Sequence, residues 1–257
     1  MISYCIAVLR PAYARLLVEE LVRKTSARFE ILLWLNTSDS NFEEFVVKES
    51  TCGTPVRIAG KSPENIGMLA YRELFRSARF PLVVQIDDDV VTVSRGIAER
   101  AERLFGKFPK VRQLVADVWQ DEYTTGARPP LSVYQEFDRN EGLYDGPIDG
   151  WFSIYHRSIL PLIDGLPFGE YFPIGWSVRE KLMRQGMRGL LDTGMKVFHV
   201  IGPAYASFFG MLDFEIAKYQ RLGRNEIVEW YREGKKTLPA TSELAARIEG
   251  ISRILDQ

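Results

Sequence analysis

The spacing of apolar and polar positions divides the first third of this chain into alternating elements. "ISYCIAVL" is an apolar, β-rich run. In the following "RPAYARLLVEELVRKT", Tyr13, Leu17 and Leu21 recur with Leu16 beside them, which predicts a helix. Pro11 suits its first turn, where a missing N–H costs no hydrogen bond. "FEILLWL" reads as a second strand ending in the polar cluster "NTSDSN", and "TPVRIAG" as a short third strand. "KSPENIGMLAYRELFRSA" predicts a helix opening at Ser62, Pro63 and Glu64, with Ile66, Ala70 and Leu74 on one face. "FPLVVQI" predicts a fourth strand. Strands alternating with helices imply right-handed βαβ units, hence an α/β, Rossmann-like, mostly parallel central sheet flanked by helices.

The alternation loosens after residue 120. "QDEYTTGARPPLSVYQEFDRNEGLYDGPIDG" has no helical period, and its aromatic residues argue against disorder. Beyond it, "WSVREKLMRQG" reads as helix and "GLLDTGMKVFHVIG" as strand with a turn. The closing "SELAARIEGISRILDQ" places Leu244, Ile248, Ile251 and Leu255 on one stripe, for packing back on the domain or meeting a partner. Three stretches result: 1–120, a less regular 121–235, and a C-terminal helix in 236–257.

Composition narrows the class without naming it. At 257 residues with 46% hydrophobic content, the chain can bury a core without disulfides or a structural metal. Its net charge of −1 gives no general pull toward nucleic acid or anionic membrane. Cys5 and Cys52 make no disulfide framework. "MISYCIAVLR" lacks a basic leader region, and no run approaches the ~20 apolar residues that span a bilayer. A cytoplasmic protein, monomeric or homodimeric, is expected.

The candidate chemistry lies in "VVQIDDDVV", where a buried-looking strand ends in three aspartates. In extended chain, residues i and i+2 point the same way, so Asp87 and Asp89 converge and Asp88 opposes them or faces solvent. Two carboxylates ~5 Å apart repel by about 3 kcal/mol at an effective dielectric near 20, which a cation or a proton must offset. Ligands bind at the carboxyl ends of parallel strands, and a hard cation (Mn²⁺ or Mg²⁺) completed by substrate phosphates suits such a pair. A solvated, helix-capping turn is the plain alternative.

Taken together, "NIGMLAYRELFRSARFPLVVQIDDDVV" resembles the core of the family 2 glycosyltransferases of GT-A fold, with Asn65, Gly67, Arg72, Asp87 and Asp89 at the matching positions. "EILLWLNTSDS", "DGWFSIYHRSIL", "FGEYFPIGWSVREKLMRQGMR" and "VFHV" extend the likeness, in order, over roughly residues 2 to 202. It implies a metal-dependent transfer of a sugar from a UDP- or GDP-linked donor to a hydroxyl. The stretch 1–120 would bind the donor and 121–235 the acceptor.

By the same resemblance, Asp87, Asp89 and His199 would hold the metal, with Asp87 and Asp88 at the nucleotide sugar. Asn36, Thr37 and Asp39 would lie near base and ribose, Arg72 near the diphosphate, and Arg10 in nucleotide contact. Trp151 and Trp176 would form an aromatic platform for the acceptor, and His156 would be structural or on the acceptor side. The pattern departs where inverting members carry an acidic pair before the late helix. Trp176 and Ser177 stand there, so the base falls to Glu170, to Asp149 or Asp121, or is absent in a retaining enzyme.

The acceptor is not legible: a glycan, a lipid-linked sugar, a small molecule and a hydroxylated nucleobase in DNA all suit. Two other classes stand beside this reading. One is a non-catalytic nucleotide-sugar or glycan binding module. The other is a haloacid-dehalogenase-like phosphohydrolase, whose Asp-x-Asp ordinarily ends the first strand rather than about the fourth.

Overall fold

The computed structural model describes residues 1–124, 127–167 and 173–256. Strands β1 (Ile2–Val8), β2 (Phe29–Leu35), β3 (Val56–Lys61) and β4 (Leu82–Asp87) alternate with helices α1 (Pro11–Lys24), α2 (Ser40–Thr51) and α3 (Leu69–Ser77). Next come β5 (Val90–Val93), α4 (Ile97–Lys107), β6 (Val111–Val118), β7 (Gln135–Asp138), β8 (Leu143–Asp145) and β9 (Phe152–His156). Helices α5 (Leu160–Asp164) and α6 (Ile174–Arg184) lead into β10 (Arg188–His199). The chain ends in α7 (Pro203–Phe208), α8 (Leu212–Arg221), α9 (Asn225–Lys235) and α10 (Thr241–Leu255).

Among the described residues the strands form one ten-stranded sheet, ordered β3-β2-β1-β4-β9-β6-β10-β8-β7, with β5 paired to β10. β3, β2, β1 and β4 are mutually parallel, as the alternation requires. β9 then enters antiparallel between β4 and β6, so the sheet is mixed around a parallel block. Val84, Ile86, Phe152 and Ile154 are buried without exposure, as strands covered on both faces demand.

Several expectations change. The helix expected to open at Ser62 begins at Leu69. Asn65 accepts the Gly67 N–H at 2.8 Å and Gly67 has φ +55°, so residues 62–68 form a turn that reaches the sheet's carboxyl end. The polar cluster after β2 leads into α2, whose start Asp39 caps by accepting the Phe42 N–H at 2.9 Å. β10 carries the anticipated turn as a break in its pairing with β6 between Asp192 and Lys196. α10 packs back on the domain, its Leu244, Ile251 and Leu255 joining Tyr13, Phe198 and Tyr205. No helix among the described residues is long and apolar enough to cross a membrane.

Candidate active site

β4 delivers the three aspartates to the carboxyl end of the sheet, beside a cavity of about 770 Å³. The cavity is lined by Arg10 after β1, Asn36 after β2, Asn65 and Gly67 before α3, Asp149 and Trp151 before β9, and His199 ending β10. Each lies where a strand meets a loop, because parallel strands end on one side and their turns gather there.

Asp88 does not face solvent. It is 3% exposed, and one oxygen accepts the backbone N–H groups of Leu9 and Arg10 at 2.7 and 2.6 Å. The other accepts the Arg10 guanidinium at 3.0 and 2.7 Å. The strand has ended, so the two-residue alternation no longer applies, and the turn carries Asp88 inward to tie the exits of β1 and β4 together. Arg10 is thereby engaged at the place where nucleotide contact was expected. Its Nη1 also lies 2.6 Å from both Asp89 and Glu215, and Glu215 pairs with Lys218 at 2.6 Å.

Asp87 and Asp89 converge as expected, and His199 joins them. One ligand atom from each lies within 4.8 Å of the others. His199 Nε2 stands 2.8 Å from Asp89 Oδ1, while its buried Nδ1 has no hydrogen-bond partner among the described residues. Burial and the Asp89 charge push the Asp87 carboxyl up to about 7. Burial also acts on Asp89, but Arg10 and His199 outweigh it and hold Asp89 well below the usual carboxylate range. Burial disfavours the charged His199, and the Asp89 carboxylate overrides it, raising the imidazole pKa. Two carboxylates and an imidazole around a shared point, one carboxylate without an ion pair among the described residues, are a donor set that fits a divalent cation.

The remaining expected residues divide. Asn36 is buried, lines the cavity and accepts the Ile66 N–H at 3.3 Å. Thr37 and Asp39 do not line it, and Asp39 is spent on capping α2. Arg72 points away to a separate cavity of about 350 Å³ with Arg76 and Arg157, and donates to the Leu166 carbonyl at 3.1 Å. Trp151 lines the cavity, but its indole N–H is committed to the Ala116 carbonyl at 2.7 Å. Trp176 is 38% exposed outside the cavity, with the Arg179 guanidinium over its ring at 5.3 Å.

Asp121 is occupied by the Tyr123 and Thr124 N–H groups and the Tyr205 hydroxyl, away from the cavity. His156 bonds Ser158 at 2.8 Å and is likewise remote. Glu170 lies outside the described residues. Asp149 lines the cavity and accepts the Gly150 N–H at 2.8 Å. The expected acceptor-side stretch 121–235 carries no named helix or site residue in 203–235, where α8 and α9 build a cavity wall with Glu215, Lys218, Trp230 and Tyr231. A helical period of basic and aromatic residues in "FEIAKYQRLGRNEIVEWY" was the available signal.

No protein-family model and no curated protein sequence matches this chain. Solved structures do. GalNAc-T7 with UDP, GalNAc and Mn²⁺ superimposes with a TM-score of 0.61 at 13% identity, over 79% of this chain and 43% of that one. This chain has a GT-A fold. Mannosyltransferase PcManGT from Pyrobaculum calidifontis, in complex with GDP-Man and Mn²⁺, gives 0.59 at 12%, over 86% and 64%. S. aureus TarS 1-349 with UDP-GlcNAc gives 0.57 at 12%, over 84% and 64%. The GT-A chain described here therefore spans less than two thirds of each of these neighbours.

Proposed function

We propose that this chain transfers a sugar from a UDP- or GDP-linked donor to a hydroxyl acceptor, with a divalent cation held by Asp87, Asp89 and His199. The observation that carries the reading is the meeting of those three groups at the carboxyl end of β4, inside the large cavity of a GT-A fold. Of the carboxylates Asp87, Asp88, Asp89 and Glu215 gathered here, the last three face Arg10, His199 or Lys218 within ion-pair distance. Asp87 is the carboxylate left over, and a divalent cation would offset its repulsion from Asp89. When bound, such a cation stabilises the charge that develops on the leaving diphosphate. The neighbours bearing UDP, GDP-mannose or UDP-GlcNAc support a nucleotide-sugar donor, with Asn36 and Asn65 as polar contacts toward the nucleoside.

The test is thermal unfolding with UDP, GDP, CMP and ADP, each with and without Mn²⁺. A ligand at ~100 times its Kd adds about 2.7 kcal/mol, or about 5–11 °C for a domain of this size. The expected result is a metal-dependent rise with one diphosphate that Asp89→Asn abolishes. No shift with any nucleotide would overturn the proposal.

A further inference from the structure

We propose that Asp149 is the general base of this transfer and that the sugar moves in a single displacement with inversion. The inference rests on the donor reading above and concerns the carboxylates of the same cavity. Asp88, Asp89 and Glu215 are each paired with a cation, through Arg10, His199 or Lys218. Asp87 is drawn into the convergence with Asp89 and His199. Asp149 is the other carboxylate among the described residues that lines the cavity without an ion pair.

Asp149 is held by uncharged groups. Its carboxylate accepts the N–H of Gly150 at 2.8 Å and faces the N–H groups of Gly175 and Trp176 at the start of α6, which favour its charged form. The close approach depends on Gly175, where a Cβ would stand 2.4 Å from the Asp149 carbonyl carbon. Trp176 and Ser177 cannot accept a proton, and Asp149 brings a carboxylate to their helix start from another part of the chain. Burial raises its proton affinity more than these hydrogen bonds lower it. In the step, the acceptor oxygen attacks the anomeric carbon and its proton passes to the Asp149 carboxylate. The bond from that carbon to the diphosphate oxygen breaks, and the electron pair leaves with the diphosphate.

A cap and a base are separable by substitution. Asn caps a helix as well as Asp but takes no proton, whereas Ala does neither. The experiment compares wild type, Asp149→Asn and Asp149→Ala with UDP-glucose, UDP-GlcNAc and GDP-mannose plus Mn²⁺. It measures the Tm, the affinity for each donor, the release of nucleoside diphosphate with water as acceptor, and the anomer of the released sugar. Sodium azide then serves as an acceptor that has no proton to lose.

The expected result is that Asp149→Asn keeps the wild-type Tm and donor affinity, while release to water falls by about 10²–10⁴-fold. Azide restores release in the variant, and the wild-type product carries the anomeric configuration opposite to the donor's. Full activity in Asp149→Asn with a lowered Tm in Asp149→Ala would show a cap alone and overturn the inference. So would retention of configuration, loss of activity that azide does not restore, or a wild-type protein that binds donor but never releases diphosphate. Failure of the wild type to bind any donor would instead sink the donor reading, and this inference with it.

Discussion

Removing Asp87 should stabilise the metal-free protein. Its carboxylate lies within 4.8 Å of Asp89, and at that separation two charges repel by about 3 kcal/mol at an effective dielectric near 20. Asp87 is half-buried against an open cavity, and His199 and Arg10 offset part of the repulsion. Asp87→Asn should therefore gain about 1–2 kcal/mol, a rise in Tm of about 2–8 °C. The sign follows from linkage. The folded protein holds the Asp87 proton up to about pH 7, whereas the unfolded chain releases it near 3.8. Wild type thus loses stability as pH rises through that window, and the variant does not. The assay is thermal unfolding in EDTA from pH 4 to pH 8. The variant's advantage should be absent at the acid end and full above pH 7. Mn²⁺ with the matching nucleotide should then raise the Tm of wild type and not of the variant. A variant no more stable than wild type at pH 8 in EDTA would refute the reasoning and make Asp87 an ordinary structural residue.

Other perturbations follow from the same structure. Arg10→Gln strands Asp88, Asp89 and Glu215 without their shared cation, and breaking a buried pair costs about 3–5 kcal/mol, so Tm should fall by about 6–20 °C. Trp151→Phe leaves the Ala116 carbonyl without its indole partner, which should cost about 1–3 kcal/mol in denaturant titrations. Arg103 and Lys107 hold the Glu141 carboxyl at about 2, below its ordinary 4.5. The stability this contributes is present above pH 4.5 and lost as pH falls through 2. The gap in Tm between wild type and Glu141→Gln should therefore be constant above pH 5 and close toward pH 2.

The apolar periods around β1, α1, β2 and β4 determined the parallel block, since an amphipathic stripe or a buried strand has few other ways to hide its surface. They also set where a ligand would bind, because "VVQI" ends in charge and parallel strands end on one side. The convergence of Asp87 and Asp89 was expected from extended-chain spacing but is made by the turn that follows β4, and His199 was legible only through resemblance.

What local pattern could not carry was anything decided between distant segments. Asp88 and Arg10 are 78 residues apart, and their pairing makes one buried tie between the exits of β1 and β4. Arg72 sits on the same helix as Tyr71, yet the helix's rotation sends Tyr71 to the cavity beside the aspartates and Arg72 to another. Glu215 reaches Arg10 across 205 residues, and Asp149 reaches the start of α6 from outside that helix. The sequence alone determined which segments are buried and which charges they end in. Only the tertiary structure decided which of those charges neutralise one another and which are left to act, because pairing across the chain depends on packing that no local period records.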